Sequence, residues 1–134
     1  SFTYRLCSLF SKRLAQSDKS NDRKTEIFSR LLQLVSEYYN KERSVSFYAD
    51  KLCLSPKYLS SLVKTQCGYT VQELVFKALI RRSIFLMNNT SLTISEISNE
   101  LNFPNVSSYG TFFKKHTGLS PRNYRNAVKL KIQP

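Results

Sequence analysis

The sequence predicts an all-α fold: two helix-turn-helix subdomains joined by a long central helix, plus an N-terminal helix. Three observations carry this prediction. Apolar side chains recur every three to four residues in most segments. Only three glycines and four prolines interrupt the 134 residues. One stretch occurs twice, with its apolar positions and caps in the same order, which marks a supersecondary unit used twice. The length suits one compact domain or two small ones sharing an interface. At 41% apolar and 22% charged residues the chain can bury a core, which excludes a disordered tail. Apolar runs of only a few residues exclude a helical membrane span.

Residues 2–16 place Leu6, Leu9, Phe10 and Leu14 at helical spacing, a short helix inside a linker that covers residues 1–21. The start at Ser1, with no basic and apolar leader, reads as a cut from something longer and gives no sign of secretion. Ile27, Leu31, Leu34, Val35 and Tyr38 trace one apolar stripe. A helix over 22–40 follows, with Asp22 as its N-cap, and opens the first subdomain, residues 22–70.

The repeat begins at Val45 and again at Ile94. Val45, Tyr48, Ala49 and Leu52 answer Ile94, Ile97, Ser98 and Leu101 at an offset of 49. After one extra residue near Pro104, Leu59, Leu62, Val63, Lys64 and Gly68 answer Tyr109, Phe112, Phe113, Lys114 and Gly118 at an offset of 50. Each copy reads as a short helix, a three-residue turn and a longer helix. Ser55 caps the longer helix of the first copy, with Pro56 at its first position, where a missing N–H costs nothing. In the second copy Thr93 and Asn105 cap the two helices. Gly68 and Gly118 supply left-handed stops, and a final helix starts at Pro121. Between the copies, residues 71–89 are apolar around most of the helix circumference, as expected of a helix packed on two sides. It would be about 28 Å long, close to the roughly 34 Å between successive major-groove faces of duplex DNA. The second subdomain covers residues 90–134.

Little here favours an enzyme. Cys7, Cys53 and Cys67 are odd in number without C-x-x-C spacing. They are expected to be small apolar side chains in a reducing cytoplasm rather than a disulfide framework. With the single His116 they lack the paired knuckles of a zinc site. No glycine-rich phosphate loop is present, so neither a metal nor a cofactor is expected. A cysteine-based alkyl acceptor would need an activating His, Arg pair or metal set near Cys53 or Cys67, and the sequence supplies none.

The geometry of short helix, turn and longer helix seats its second helix in a major groove. In the first copy, helical periodicity turns Leu59, Leu62, Val63 and Gln66 inward and leaves Lys57, Ser60, Ser61 and Lys64 outward. In the second it turns Tyr109, Phe112, Phe113 and His116 inward and leaves Ser107, Gly110, Thr111 and Lys114 outward, with Asn105 and Val106 at the tip. Lys57 can donate to a guanine edge, hydroxyls can read donors or acceptors, Val106 can touch a thymine methyl, and Asn105 can pair with adenine unless its cap role occupies it. Lys64, Lys114 and Lys115 lie further along, where phosphates run.

From residue 26 to 125, about three quarters of the chain, the sequence resembles the DNA-binding domain of the AraC/XylS transcription regulators. The resemblance rests on FYADKLCLSPKYLSSLVKTQCGYT in the first copy, and on TISEISNELNF and FFKKHTGLSPRNYR in the second. It implies sequence-specific binding of double-stranded DNA by two recognition helices in adjacent major grooves, in a regulator of bacterial transcription. RNA polymerase would be a further partner, and a small-molecule effector would act through an upstream region. By position the base readers become Pro56, Lys57, Ser60, Ser61, Val106, Ser107 and Thr111, and Asn105 stays a candidate from its place at the helix tip. Lys64, Lys77, Arg81, Arg82, Lys114, Lys115, Arg122 and Arg125 become the phosphate contacts. Cys53 and Asn102 depart from the glycine that many members carry in the turn, and Val106 from a polar residue. A second reading keeps the fold as a protein-interaction module without base readout, because hydroxyls and Gly110 carry little reading power.

Charge placement sharpens the first reading. The formal net charge is +12, and residues 45–134 hold 12 basic and 4 acidic side chains, so most of the excess belongs to the duplicated region.

Overall fold

The computed structural model describes residues 20–132; the helix expected over 2–16 lies outside them. The described residues form seven helices and no strand: α1 (Ser20–Tyr38), α2 (Val45–Lys51), α3 (Pro56–Cys67), α4 (Val71–Asn89), α5 (Ile94–Glu100), α6 (Val106–Thr117) and α7 (Pro121–Ile132). The described residues divide into two compact units, and the boundary, between Phe76 and Lys77, falls inside α4.

Helix α1 begins ahead of Asp22, so Asp22 is not the N-cap that the sequence predicts. It lies in the first turn, where its charge meets the positive end of the helix dipole. The other start signals act as their chemistry dictates. Ser55 accepts from Tyr58 N at 3.1 Å and Pro56 opens α3. Thr93 and Glu96 form a reciprocal capping box on α5, with bonds of 3.1 and 2.9 Å. The backbone N–H of Thr93, and after it the Thr93 side chain, hold the Glu96 carboxyl below its ordinary range. Asn105 Oδ1 accepts from Ser108 N at 2.8 Å at the head of α6.

The two tight turns share one geometry. Cys53 and Asn102 both adopt φ 60. Cys53 N donates to Asp50 O at 3.1 Å and Leu54 N to Ala49 O at 2.9 Å; Asn102 N donates to Asn99 O at 3.1 Å and Phe103 N to Ser98 O at 3.0 Å. These paired bonds define a Schellman ending, with its left-handed residue just past the helix and an apolar residue next that folds back on it. Phe103 is buried and Leu54 half-buried. The longer helices stop at Gly68 and Gly118, whose N–H groups bond Lys64 O at 2.9 Å and Lys114 O at 2.8 Å.

In the first unit, α3 packs on α1 and α2. The core there is Ile27, Leu31 and Val35 of α1, Tyr48, Ala49 and Leu52, and Leu59, Leu62 and Val63 of α3, with Val71 and Val75. The Tyr48 hydroxyl donates to Glu42 O at 2.7 Å. Burial, and then the charge of Glu42, push its pKa up to about 12. In the second unit α6 packs on α5 and α7. Its core is Leu79, Leu86 and Met87 with Ile97, Leu101, Phe103, Tyr109 and Phe113. Cys67 is a free thiol, and its Sγ–H donates to Val63 O at 3.3 Å. Cys53 is disulfide-bonded, which corrects the expectation that the cysteines are simply small apolar side chains.

Asn102 tests the turn. Asparagine tolerates the left-handed region, whereas a β-branched side chain brings Cβ against the carbonyl there. Asn102→Val should lower stability by about 1–2 kcal/mol, and Asn102→Gly should hold or raise it; thermal melts of the two variants check this.

Candidate nucleic-acid interface

Helix α3 turns Leu59, Leu62 and Val63 into the core, whereas Gln66, expected inward, is exposed in the last turn, where its amide stays in water. Pro56, Lys57, Ser60, Ser61 and Lys64 are exposed on its other side. Helix α6 buries Tyr109 and Phe113 and exposes Asn105, Val106, Ser107, Thr111, Lys114 and Lys115. Val106 is 44% exposed although apolar. Each longer helix therefore presents short side chains flanked by lysine at matching positions of the repeat.

Local hydrogen bonds already use part of this polar inventory. Asn105 Oδ1 is held by the cap, and the Asn105 carbonyl accepts from Ser98 Oγ at 3.2 Å. Its amide oxygen is thus committed, which works against the two-point pairing with adenine that the sequence allows. Thr111 Oγ1 donates to Ser107 O at 3.0 Å and keeps its lone pairs for an outside donor. A Cβ built on Gly110 would meet nothing within 4 Å, so packing inside the protein does not require glycine there.

The expected phosphate contacts divide into two sets. Lys64, Lys77, Arg81, Arg82, Lys114, Lys115 and Arg122 are exposed, and the Arg82 guanidinium lies 4.9 Å from the Phe85 ring centroid. Arg125 differs. Its Nη1 donates to Leu92 O at 2.5 Å, and its Nη2 to Thr90 O at 3.1 Å and Met87 O at 3.4 Å. It caps the carbonyls at the end of α4 and ties α7 to that end, so the fold takes the donors that the resemblance assigns to phosphate. His116 is exposed rather than inward and stacks on Phe112 at 4.6 Å between centroids. Partial burial, then the charge of Lys115, hold its pKa below the ordinary value.

One buried polar side chain escapes the sequence reading. Ser83 is fully buried, and its hydroxyl hydrogen-bonds the Tyr109 hydroxyl. The signal was present: Ser83 continues the four-residue row of Val71, Val75 and Leu79, where a hydroxyl needs a partner. Burial raises the Tyr109 pKa above its ordinary value, against smaller opposing effects of the Ser83 bond and the Arg125 charge.

Two tight-turned helix pairs, each exposing a lysine-flanked row of short side chains, define a helix-turn-helix protein. A helix-turn-helix domain family model matches residues 48–127, and the chain belongs to the AraC-type helix-turn-helix family of transcription regulators. It is 26% identical over 116 residues to the Msm operon regulatory protein of Streptococcus mutans, covering 87% of this chain and 42% of that protein. It resembles the C-terminal domain of AraT, a response regulator from Geobacillus stearothermophilus, at TM-score 0.71 and 28% identity, covering 75% of this chain and 84% of that one. The DNA-binding domain of AdpA, a global transcriptional factor solved in complex with a target DNA, shares the fold at TM-score 0.70 and 14% identity, covering 78% and 94%. The chain spans less than half the length of the curated relatives it matches.

Arg125 separates an internal tie from a phosphate contact. Arg125→Ala should cost about 1–3 kcal/mol of stability by removing the donors from part-buried carbonyls. A phosphate contact would instead lower the slope of log affinity against log salt by about one. Thermal melts and a salt titration of duplex binding, read below the melting range, distinguish the two.

Proposed function

We propose that the chain is the DNA-reading part of a transcription regulator, binding specific double-stranded sequences by inserting α3 and α6 into adjacent major grooves. The carrying observation is that the two helices present the same outward design. Pro56, Lys57, Ser60 and Ser61 on α3, and Asn105, Val106, Ser107 and Thr111 on α6, are exposed and short enough for close approach. On this reading Lys57 donates to guanine, Val106 meets a thymine methyl, the serine hydroxyls read either kind of edge, and Thr111, whose O–H is given to Ser107 O, accepts from a base donor. Asn105 contributes through its amide nitrogen. Lys64, Lys77, Arg81, Arg82, Lys114, Lys115 and Arg122 meet phosphates and set position without reading sequence. The target DNA bound to the AdpA domain supports the same partner here.

The parent protein extends beyond this segment on the same reading. RNA polymerase is its second partner, and an effector acts through another part of the chain. The regulator works in the bacterial cytoplasm at the nucleoid.

Selection of bound sequences from a random duplex pool at moderate salt tests the proposal. The expected result is an enriched motif with two half-sites about 10 bp apart. No enrichment, with binding lost by about 200 mM salt, would leave only nonspecific charge or a protein-interaction role. Lys57→Ala should relax preference at one base pair by about 1–3 kcal/mol; equal loss on every sequence would make Lys57 a phosphate contact.

Gly110 gives an opposing pair of readouts. Gly110→Ala should stabilise the free protein by about 0.5–1 kcal/mol, because the methyl meets open space. The same methyl should weaken binding to the selected duplex. A variant with higher stability and unchanged affinity would remove Gly110 from the contact face.

A further inference from the structure

We propose that the Ser83–Tyr109 hydrogen bond fixes the rotation of α6 about its own axis, making both residues positioning residues for base readout by α6. The proposal rests on α6 being a recognition helix, as argued above. Both side chains are fully buried, and their hydroxyls join α6 to α4 within the second unit. Ahead of α6 the Asn105 carbonyl also accepts from Ser98 Oγ; along α6 itself the aromatic side chains meet other elements ring on ring. Tyr109 lies 5.2 Å from Phe103, and Phe113 lies 5.4 Å from Tyr124, between centroids at interplanar angles of 54° and 81°. Such contacts set a separation and tolerate a range of tilts. A hydroxyl–hydroxyl bond weakens steeply as it leaves its line, so it is the directional element in the row.

Helical geometry makes that direction matter. Ser107 and Thr111 stand two residues before and after Tyr109, about 200° around the axis from it at 3.6 residues per turn. The pin and the outward hydroxyls therefore sit at opposite ends of one lever. A roll of about 20° moves a side-chain tip about 5 Å from the axis by nearly 2 Å, enough to break a base-edge hydrogen bond or shift it to a neighbouring edge. The same roll breaks the Ser83–Tyr109 bond at the other end. The first unit lacks this device. Leu59 answers Tyr109 in the repeat and is equally buried, and the inward residues of α3 are Leu59, Leu62 and Val63, none of which can hydrogen-bond through its side chain.

The alternative is a buried pair whose hydroxyls merely satisfy one another. Replacing both partners by apolar groups of similar shape is close to neutral for stability, so Ser83→Ala combined with Tyr109→Phe removes the direction while keeping the core. The experiment selects bound duplexes from a random pool with the unaltered chain, Tyr109→Phe, Ser83→Ala and the double variant, each melted in parallel. Thr111→Ala and Lys57→Ala assign the half-sites to α6 and α3. The expected result is that discrimination at α6 positions falls by about fivefold or more in the double variant and in Tyr109→Phe. Discrimination at α3 positions and affinity for unrelated duplex should stay unchanged. A double variant that melts like the parent and keeps its α6 preferences overturns the proposal, as does an equal loss at both half-sites that tracks the melting temperature. If the unaltered chain enriches no motif, the DNA reading itself fails and takes this proposal with it.

Discussion

The fold turns on a single backbone conformation used twice. At Cys53 and Asn102 the chain enters the left-handed region, and three consequences follow within two residues. The open carbonyls at the end of a seven-residue helix are closed by Schellman bonds. The next residue, Leu54 or Phe103, is turned back toward the core. The chain then arrives extended at Ser55 or Asn105, which caps the following helix. Neither α2 nor α5 is long enough to be stable alone. Each persists because the turn delivers it against the longer helix that buries its apolar side. A residue with a Cβ costs about 1–2 kcal/mol in this conformation, less for asparagine, and the packing of both units outweighs it.

The units meet the same backbone demand with different cores. The first is mostly aliphatic around Tyr48, whose hydroxyl finds a main-chain carbonyl six residues back. The second is built from rings: Phe103 meets Tyr109 and Phe112, Tyr109 meets Phe113, and Phe113 meets Tyr124. A ring core filled by tyrosine brings a hydroxyl inside, and that hydroxyl must be satisfied. Ser83 on α4 does this. Arg125 satisfies the carbonyls just beyond the same helix from the side of α7. The end of α4 is therefore held by polar contacts from two other helices, on top of its apolar packing.

What could be read from the sequence follows the range of the interactions. Caps and stops at Ser55, Thr93, Asn105, Gly68 and Gly118 act on neighbours a few residues away, and they appear where their chemistry predicts. The outward rows of α3 and α6 follow from helical period alone. Asp22 misled because two further residues could extend the helix ahead of it, and a first-turn acid serves the dipole as well as a cap does. The row position of Ser83 marked it as buried, but which groups Ser83 and Arg125 would bond was opaque for another reason. Their partners lie 26 and 33 to 38 residues away, and no local pattern encodes which distant group needs a donor. The roles of the outward side chains depend on a partner that is not part of the chain.

The distribution of acids adds a constraint that the net charge hides. Asp22, Glu73 and Glu96 stand in the first turns of α1, α4 and α5, and two of them also complete local caps, Glu73 with Thr70 and Glu96 with Thr93. Helices α3, α6 and α7 contain no acidic residue at all. Their positive N-terminal ends go without the carboxylate that would stabilise each helix in isolation. Ser55 and Asn105 satisfy the orphan N–H groups with neutral oxygens instead. A carboxylate at either position would cap as well, but it would place a negative charge at the tip of an outward helix, repelling an anionic partner across the distance at which phosphates approach. Helix α2 starts the same way, with Ser44 as its cap and no acid in its first turn, so the neutral caps of α3 and α6 suit the proposed anionic partner without being peculiar to these two helices.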